Sequence, residues 1–254
     1  MVQLGGRVVV VTGASRGIGK GLALGLAARG ASVVCAARTE VEVPDGLPGT
    51  IHQTAAAIND AGGEAIAVRC DVGREADIEE LIERTVARFG RLNVLVNNAM
   101  APTRGLFADT TPAMWDESIA TNLRSLFVIC RGALPHLGVD GGSIINVSSG
   151  AADHASAAVM PPGFLVYSVV KAAMERFSTA LAGEVAGLGV AVNALRPGAV
   201  KTEHAARELG PDYDWSGWTE PEAVVPAVAY LANQRGNGLT GRILDVSTFG
   251  SRWP

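Results

Sequence analysis

Tyr167 and Lys171 stand four positions apart, and a serine pair, Ser148 and Ser149, lies upstream of them. On a helix, positions i and i+4 share one face about one turn apart, so this phenol and this ammonium fall into one pocket. A free phenol titrates near ~10, and bringing it to about 7 takes ~4 kcal/mol. One cation at ~4 Å, at an effective dielectric of ~20, supplies roughly that much. The chemistry is proton transfer by a tuned tyrosine, with a serine hydroxyl holding a substrate oxygen beside it. A lone Tyr-x-x-x-Lys recurs by chance, usually as two ordinary surface residues, so the surrounding elements decide.

The stretch from Ser143 to Lys171 opens as an apolar run ending at Ser148 and Ser149, crosses a loop punctuated by Gly and Pro, and enters the periodic segment bearing Tyr167. That order reads as strand, loop and helix. Near the start, Val8 to Val11 reads as a strand buried on both faces, followed by Thr12-Gly13-Ala14-Ser15-Arg16-Gly17-Ile18-Gly19 and a helix from Lys20 to Arg29. Strand, glycine turn and helix is the setting in which a helix N-terminus holds a pyrophosphate, although such glycines are often purely steric. The second strand, Ser32 to Ala37, ends at Arg38 with no carboxylate. Arg38, with Arg16 in the glycine loop, favours a ribose carrying a 2′-phosphate, while Glu40 and Glu42 leave the unphosphorylated form open.

Further on, helices are expected over 50–61, 75–89, 112–131 and 220–233, and strands over 64–70, 92–96, 190–195 and 242–246. Asp71, at the end of the third strand, either reaches an adenine or caps the helix that follows. Asn97-Asn98-Ala99-Met100 ends the fourth strand. Asn122, inside an apolar helix, wants a hydrogen-bond partner and is either structural or organises water beside Lys171. The Tyr167 helix runs to about Gly187. Arg196 to Thr202 reads as a loop at the end of the sixth strand. The segment 201–219, with Tyr213, Trp215 and Trp218, reads as a substrate lid.

Strands alternating with helices over 254 residues, 48% of them apolar, define an α/β chain: a single-domain, doubly wound (Rossmann-type) parallel sheet of about seven strands flanked by helices. A net charge of −4 without a Lys/Arg cluster argues against nucleic acid as a partner. Cys35, Cys70 and Cys130 are widely spaced inside apolar runs, which implies reduced core thiols of a cytoplasmic protein and no metal site. The N-terminus shows no signal-peptide pattern and no apolar run reaches membrane-spanning length.

Taken in order, Thr12 to Gly19, Asp71, Asn97 to Ala99, Asn122, Ser149, Tyr167, Lys171, and Pro197-Gly198 with Thr202 resemble the short-chain dehydrogenase/reductase superfamily over essentially the whole chain. The resemblance implies that Tyr167 is the general acid/base, Lys171 lowers its pKa and binds the nicotinamide ribose, Ser149 (rather than Ser148) holds the substrate oxygen, and Asn122 supports a proton-relay water. It further implies Gly13, Ser15, Arg16, Gly17, Ile18 and Gly19 at the pyrophosphate and Asp71 and Val72 at the adenine. Asn98 and Ala99 would lie beside the adjoining ribose, and Pro197, Gly198, Val200 and Thr202 near the nicotinamide, with Arg38 at a 2′-phosphate. Three features depart from the family pattern: Met100 stands where a glycine is usual, the separation of Ser149 and Tyr167 is long, and Asp245-Val246-Ser247-Thr248 lacks paired glycines.

The expectation is an NADP(H)-dependent oxidoreductase, NADP(H) being favoured over NAD(H), that interconverts a carbonyl and a secondary alcohol. The uncharged stretch Ala155 to Val166 and the lid aromatics point to an apolar small molecule. A homo-oligomer, tetramer or dimer, is expected from the small and apolar helix surfaces. An NAD-dependent alcohol dehydrogenase of the same family, a non-catalytic dinucleotide-binding regulator and a methyltransferase are the alternatives.

Overall fold

The computed structural model describes residues 2–101, 103–156 and 160–254. Among them seven strands form one parallel sheet: β1 (Val8–Thr12), β2 (Ser32–Ala37), β3 (Glu64–Arg69), β4 (Val94–Asn97), β5 (Gly142–Val147), β6 (Val190–Arg196) and β7 (Ile243–Asp245). Their order is β3-β2-β1-β4-β5-β6-β7. Every residue of β1, VVVVT, is buried, as expected of a parallel strand covered on both faces. The pleat divides the core in two. Val9 and Val11 point to one face, with Leu22 and Leu26 of α1 (Gly17–Ala27), Ile51 and Ile58 of α2 (Ile51–Asp60), and Val225 and Val228 of α8 (Val225–Ala232). Val10 points to the other, with Ile78 and Leu81 of α3 (Glu75–Phe89), Leu126 and Ile129 of α5 (Ser125–Leu137) and Met174 of α6 (Leu165–Val185). Each such large side chain contributes roughly 2 kcal/mol by leaving water.

The differences from the sequence expectation cluster where side chains bend the backbone. The helix expected over 112–131 is interrupted: α4 (Pro112–Ile119) passes through a π-helical turn, Ala120–Arg124, into α5. Asn122 sits in that widened turn. Arg196, expected in a loop, is the last residue of β6, and the 220–233 helix begins with a 3₁₀ turn, Pro221–Val224. Within 201–219 a short helix, α7 (Glu203–Leu209), is capped by Thr202, whose Oγ1 accepts the Ala205 amide at 3.2 Å. No helix among the described residues is long and apolar enough to cross a membrane, and no cluster of metal-ligating side chains occurs among them.

Candidate active site

From β1 the chain winds outward to β3 in one direction and from β4 outward to β7 in the other, so the crevice for a ligand lies beyond the carboxyl ends of β1 and β4. A cleft of about 490 Å³ opens there, with Gly13, Arg38, Asp71, Asn98, Tyr167 and Thr202 on its walls. Its floor is the β1–α1 turn. Helix α1 has no side-chain cap and no acid in its first turn, so its N–H groups are left for a partner from elsewhere. In this structure the partner is a carboxylate: Gly17 N donates to Glu203 Oε2 at 2.8 Å. An anionic oxygen thus sits where a dinucleotide's phosphate oxygen would be held.

The glycines of the turn have separate reasons. Gly13 adopts φ +69°, and a Cβ there would meet Asn98 Nδ2 at 2.8 Å; a Cβ on Gly19 would stand 2.2 Å from the Gly13 carbonyl oxygen. Gly19 is therefore a packing residue of the turn, while Ser15, Gly17 and Ile18 face the cleft. The turn is tied to β4 from Thr12, whose hydroxyl accepts the Asn98 and Ala99 amides, each at 3.0 Å. Asn98 Nδ2 returns a bond to the Thr12 carbonyl at 2.9 Å. Asn97 joins strands instead, donating to Asn146 Oδ1 at 2.8 Å.

Asp71 and Val72 line the cleft at the end of β3. Asp71 does not cap α3, which has no side-chain cap: its Oδ1 accepts the Gly73 amide at 3.0 Å, and Asp77 of the first turn accepts the Asp71 amide at 2.9 Å and pairs with Arg69 at 2.8 Å. The Asp71 amide, with Arg74 and Arg69, holds the Asp77 carboxyl below the usual range. Arg16 also departs from expectation. It lines the cleft, but its Nε and Nη2 donate to the Pro48, Leu47 and Gly49 carbonyls at 2.9, 3.0 and 2.9 Å, stapling the 39–49 loop. Arg38 is exposed on the cleft wall. On the opposite side Thr202 reaches the cleft, but Val200 is buried and bridges to Thr219, and Pro197 and Gly198 form the exit from β6 behind that wall.

The facing wall is the start of α6. Tyr167 lines the cleft, and the Ser149 side chain acts on its phenol. Ser149 Oγ also accepts the Ala151 amide at 3.2 Å, fixing the turn that leaves β5. The two serines point oppositely: Ser148 is buried and donates to Glu175 Oε1 at 2.7 Å. Lys171 lies beneath the tyrosine, its Nζ 5.9 Å from the ring centroid and donating to the Val147 carbonyl at 2.6 Å. Burial raises the Tyr167 phenol above its ordinary value, offset in part by the Ser149 hydrogen bond and the charge of Arg104. Burial also pushes Lys171 down to about 8, against the pull of Glu175. The expected lowering of the tyrosine by Lys171 is thus not present in this structure, because the lysine is bound to main chain and desolvation outweighs the nearby charges.

Asn122, 3% exposed, spends its amide on the segment that follows β4: Oδ1 accepts the Ala101 amide at 2.9 Å and Nδ2 donates to the Ala101 carbonyl at 3.0 Å. Its side chain thereby ties Ala101, beside Met100, into the cleft wall.

Three ties hold α7 across the cleft: Glu203 to Gly17, Arg207 to the Asp45 carbonyl, and Glu208 to Arg104 at 2.7 Å. The aromatic residues expected to line the substrate pocket pack on one another instead, Tyr213, Trp215 and Trp218 having centroids 5.0 to 5.8 Å apart, with Lys201 5.5 Å from the Trp215 ring. Of the uncharged stretch before Tyr167, Ala157, Ala158 and Val159 lie outside the described residues. Sequence reasoning missed Glu203, Arg104, Glu175 and Arg196. Only Glu175 left a signal, as the next member of the i, i+4 series begun by Tyr167 and Lys171.

The sequence model for short chain dehydrogenases matches residues 7–211. An uncharacterized oxidoreductase of Methylorubrum extorquens is 35% identical over 97% of this chain and 98% of its own length. A 3-oxoacyl-[acyl-carrier-protein] reductase of Synechocystis sp. is 34% identical over 97% of each. The crystal structure of a short chain dehydrogenase from Burkholderia cenocepacia, in complex with NADP, superposes with a TM-score of 0.81 at 28% identity, covering 96% of this chain and 97% of that one. With its cleft at the β1–β4 switch point, Tyr167 on the cleft wall and Lys171 buried one turn below it, the chain belongs to the short-chain dehydrogenase/reductase family. It is an oxidoreductase acting between C=O and CH–OH with NAD(P).

Proposed function

We propose that this chain is an NADP(H)-dependent carbonyl reductase, working reversibly against the secondary alcohol, on a small molecule with an apolar body. The observation that carries the reading is Tyr167 on the wall of the cleft whose floor is the uncapped end of α1, with the Ser149 side chain acting on its phenol. The residues fit a dinucleotide: Gly13, Ser15, Gly17 and Ile18 would hold the pyrophosphate, Asp71 and Val72 the adenine, Asn98 and Ala99 the adjoining ribose, and Thr202 the nicotinamide end. When bound, the nicotinamide supplies or accepts the hydride at the carbonyl carbon. Ser149 then orients the carbonyl oxygen, and Tyr167 delivers the proton to it through its Oη, or removes that proton in the oxidative direction. Lys171, one turn below, favours the phenolate once a ligand draws it toward the tyrosine and binds the nicotinamide ribose. Asn122 holds the cleft wall in place, and any contribution to a proton relay comes from its main chain.

Arg38 supports the 2′-phosphate, since β2 ends without a carboxylate and Arg16 is bonded to loop carbonyls. Met100 and Ala101 support an apolar substrate body, with residues 201–219 as the lid that α7 anchors. Exposed Trp115, Phe127, Leu165 and Val169 on α4, α5 and α6 support a homo-oligomer, tetramer or dimer, and the free, buried Cys35, Cys70 and Cys130 support a cytoplasmic setting. The test is NADPH oxidation followed by absorbance across uncharged ketones of increasing length, sugars and carboxylated ketones. Rates rising along the uncharged series support the proposal. Preference for sugars, or for carboxylated ketones read by Arg104 in the cleft, overturns the substrate class.

A further inference from the structure

Beneath Tyr167 the polar face of α6 continues. Lys171 follows after one turn, and Glu175 after another. The Glu175 side chain is 6% exposed, yet both its oxygens are engaged: Arg196 grips it with Nε to Oε1 at 2.7 Å and Nη2 to Oε2 at 2.9 Å, while Ser148 donates to Oε1 at 2.7 Å. The third nitrogen of the fork, Arg196 Nη1, reaches Asp153 Oδ2 at 2.7 Å. Asp153 ends the turn that Ser149 begins, its amide donating to the Gly150 carbonyl at 3.1 Å. One guanidinium at the end of β6 therefore joins α6, the end of β5 and the Ser149 turn. A planar, bidentate fork does this where a lysine would not.

We infer that Glu175 and Arg196 are positioning residues of the active site: this buried pair holds Lys171 as an oriented ammonium and clamps the turn that presents Ser149 to Tyr167. The charges that face Lys171 are few. Tyr167 and Glu175 come from its own helix, Glu175 being the charge that acts on it; Arg196 and Asp153 continue the network beyond Glu175, and Arg104 acts on the tyrosine. Two cations, Lys171 and Arg196, are balanced by two carboxylates, Glu175 and Asp153. Buried ion pairs seldom repay their desolvation in stability, so retention of one here is better explained by the geometry and charge it imposes. Without Glu175 the burial of Lys171 is uncompensated, so it gives up its proton more readily.

The inference rests on the proposed role of Lys171 as a charged group, but its test needs no turnover. The chain holds three lysines, Lys20, Lys171 and Lys201, so protein carrying lysine labelled with ¹³C at Cε gives three signals. They are assigned with Lys20→Arg and Lys201→Arg. In the full-length Glu175→Gln variant, which keeps an oxygen for Ser148, the Lys171 titration should move down by about one unit or more while the other two stay in place. Asp153→Asn, at a half-exposed side chain that tolerates the change, should move it down by less, and serves if Glu175→Gln does not fold. A Lys171 titration that stays in place in the folded variants overturns the inference. Loss of the carbonyl activity itself, judged by Tyr167→Phe, is a separate outcome.

Discussion

The two halves of the cleft satisfy their polar groups in opposite ways. On the nucleotide side, the first turn of α1 has no cap of its own, and Gly17 borrows a carboxylate from a helix that crosses the cleft. On the catalytic side, Asn122, Ser148, Glu175 and Arg196 are bonded to neighbours fixed in the fold. A removable partner marks groups meant to change hands when a ligand enters. A permanent partner marks groups whose work is to hold others still.

The largest effect belongs to the catalytic side. Tyr167→Phe removes the proposed proton donor but not the ring that packs on Phe164, so turnover should fall by roughly 10²- to 10⁴-fold. NADPH binding, read from nicotinamide fluorescence, should persist; loss of binding together with turnover would mean that the hydroxyl serves the fold. On the nucleotide side Arg38→Ala should weaken NADPH by roughly tenfold and leave NADH almost unchanged, the effect being limited by the exposure of the guanidinium. Equal loss for both dinucleotides would place the 2′-phosphate elsewhere.

Smaller still is the change at the borrowed cap. A carboxylate on a helix N-terminus contributes about 0.3–1 kcal/mol, so Glu203→Gln should tighten NADPH binding roughly two- to fivefold, measurable by titration. Weaker binding would show that Glu203 helps the cofactor instead of competing with it. The mildest test concerns a property that both halves share. Cys35, Cys70 and Cys130 are buried, and burial pushes each thiol up to about 12. An unfolded chain releases these protons from about pH 9, whereas the folded chain keeps them, so stability falls as pH rises through that window. Lys171, depressed to about 8, works the other way between about 8 and its unfolded value of 10.5, but it is one group against three. The melting temperature should therefore drop between pH 9 and pH 10.5, and replacing a thiol with Ala should flatten the drop at the cost of a small cavity.

What the chain determined by itself is whatever short-range periodicity dictates. Valine runs such as Val8 to Val11 can only be strands buried on both sides, and the strand–glycine–helix order at Thr12 to Gly19 sets a helix N-terminus at the ligand edge. Tyr167 and Lys171 share a face because helical geometry depends on nothing beyond a few neighbouring residues. Tertiary structure decided which partners the polar side chains took. Gly17 and Glu203 are 186 residues apart, Glu175 and Arg196 are 21 apart on different elements, and Arg16 is bonded to loop carbonyls. A hydrogen-bonding side chain is indifferent to sequence distance, and only the packing of strands and helices brings one candidate to 3 Å and leaves the rest in water. The same reason explains the lid: Tyr213, Trp215 and Trp218 were expected to line a substrate pocket, but the fold packs the three rings on one another.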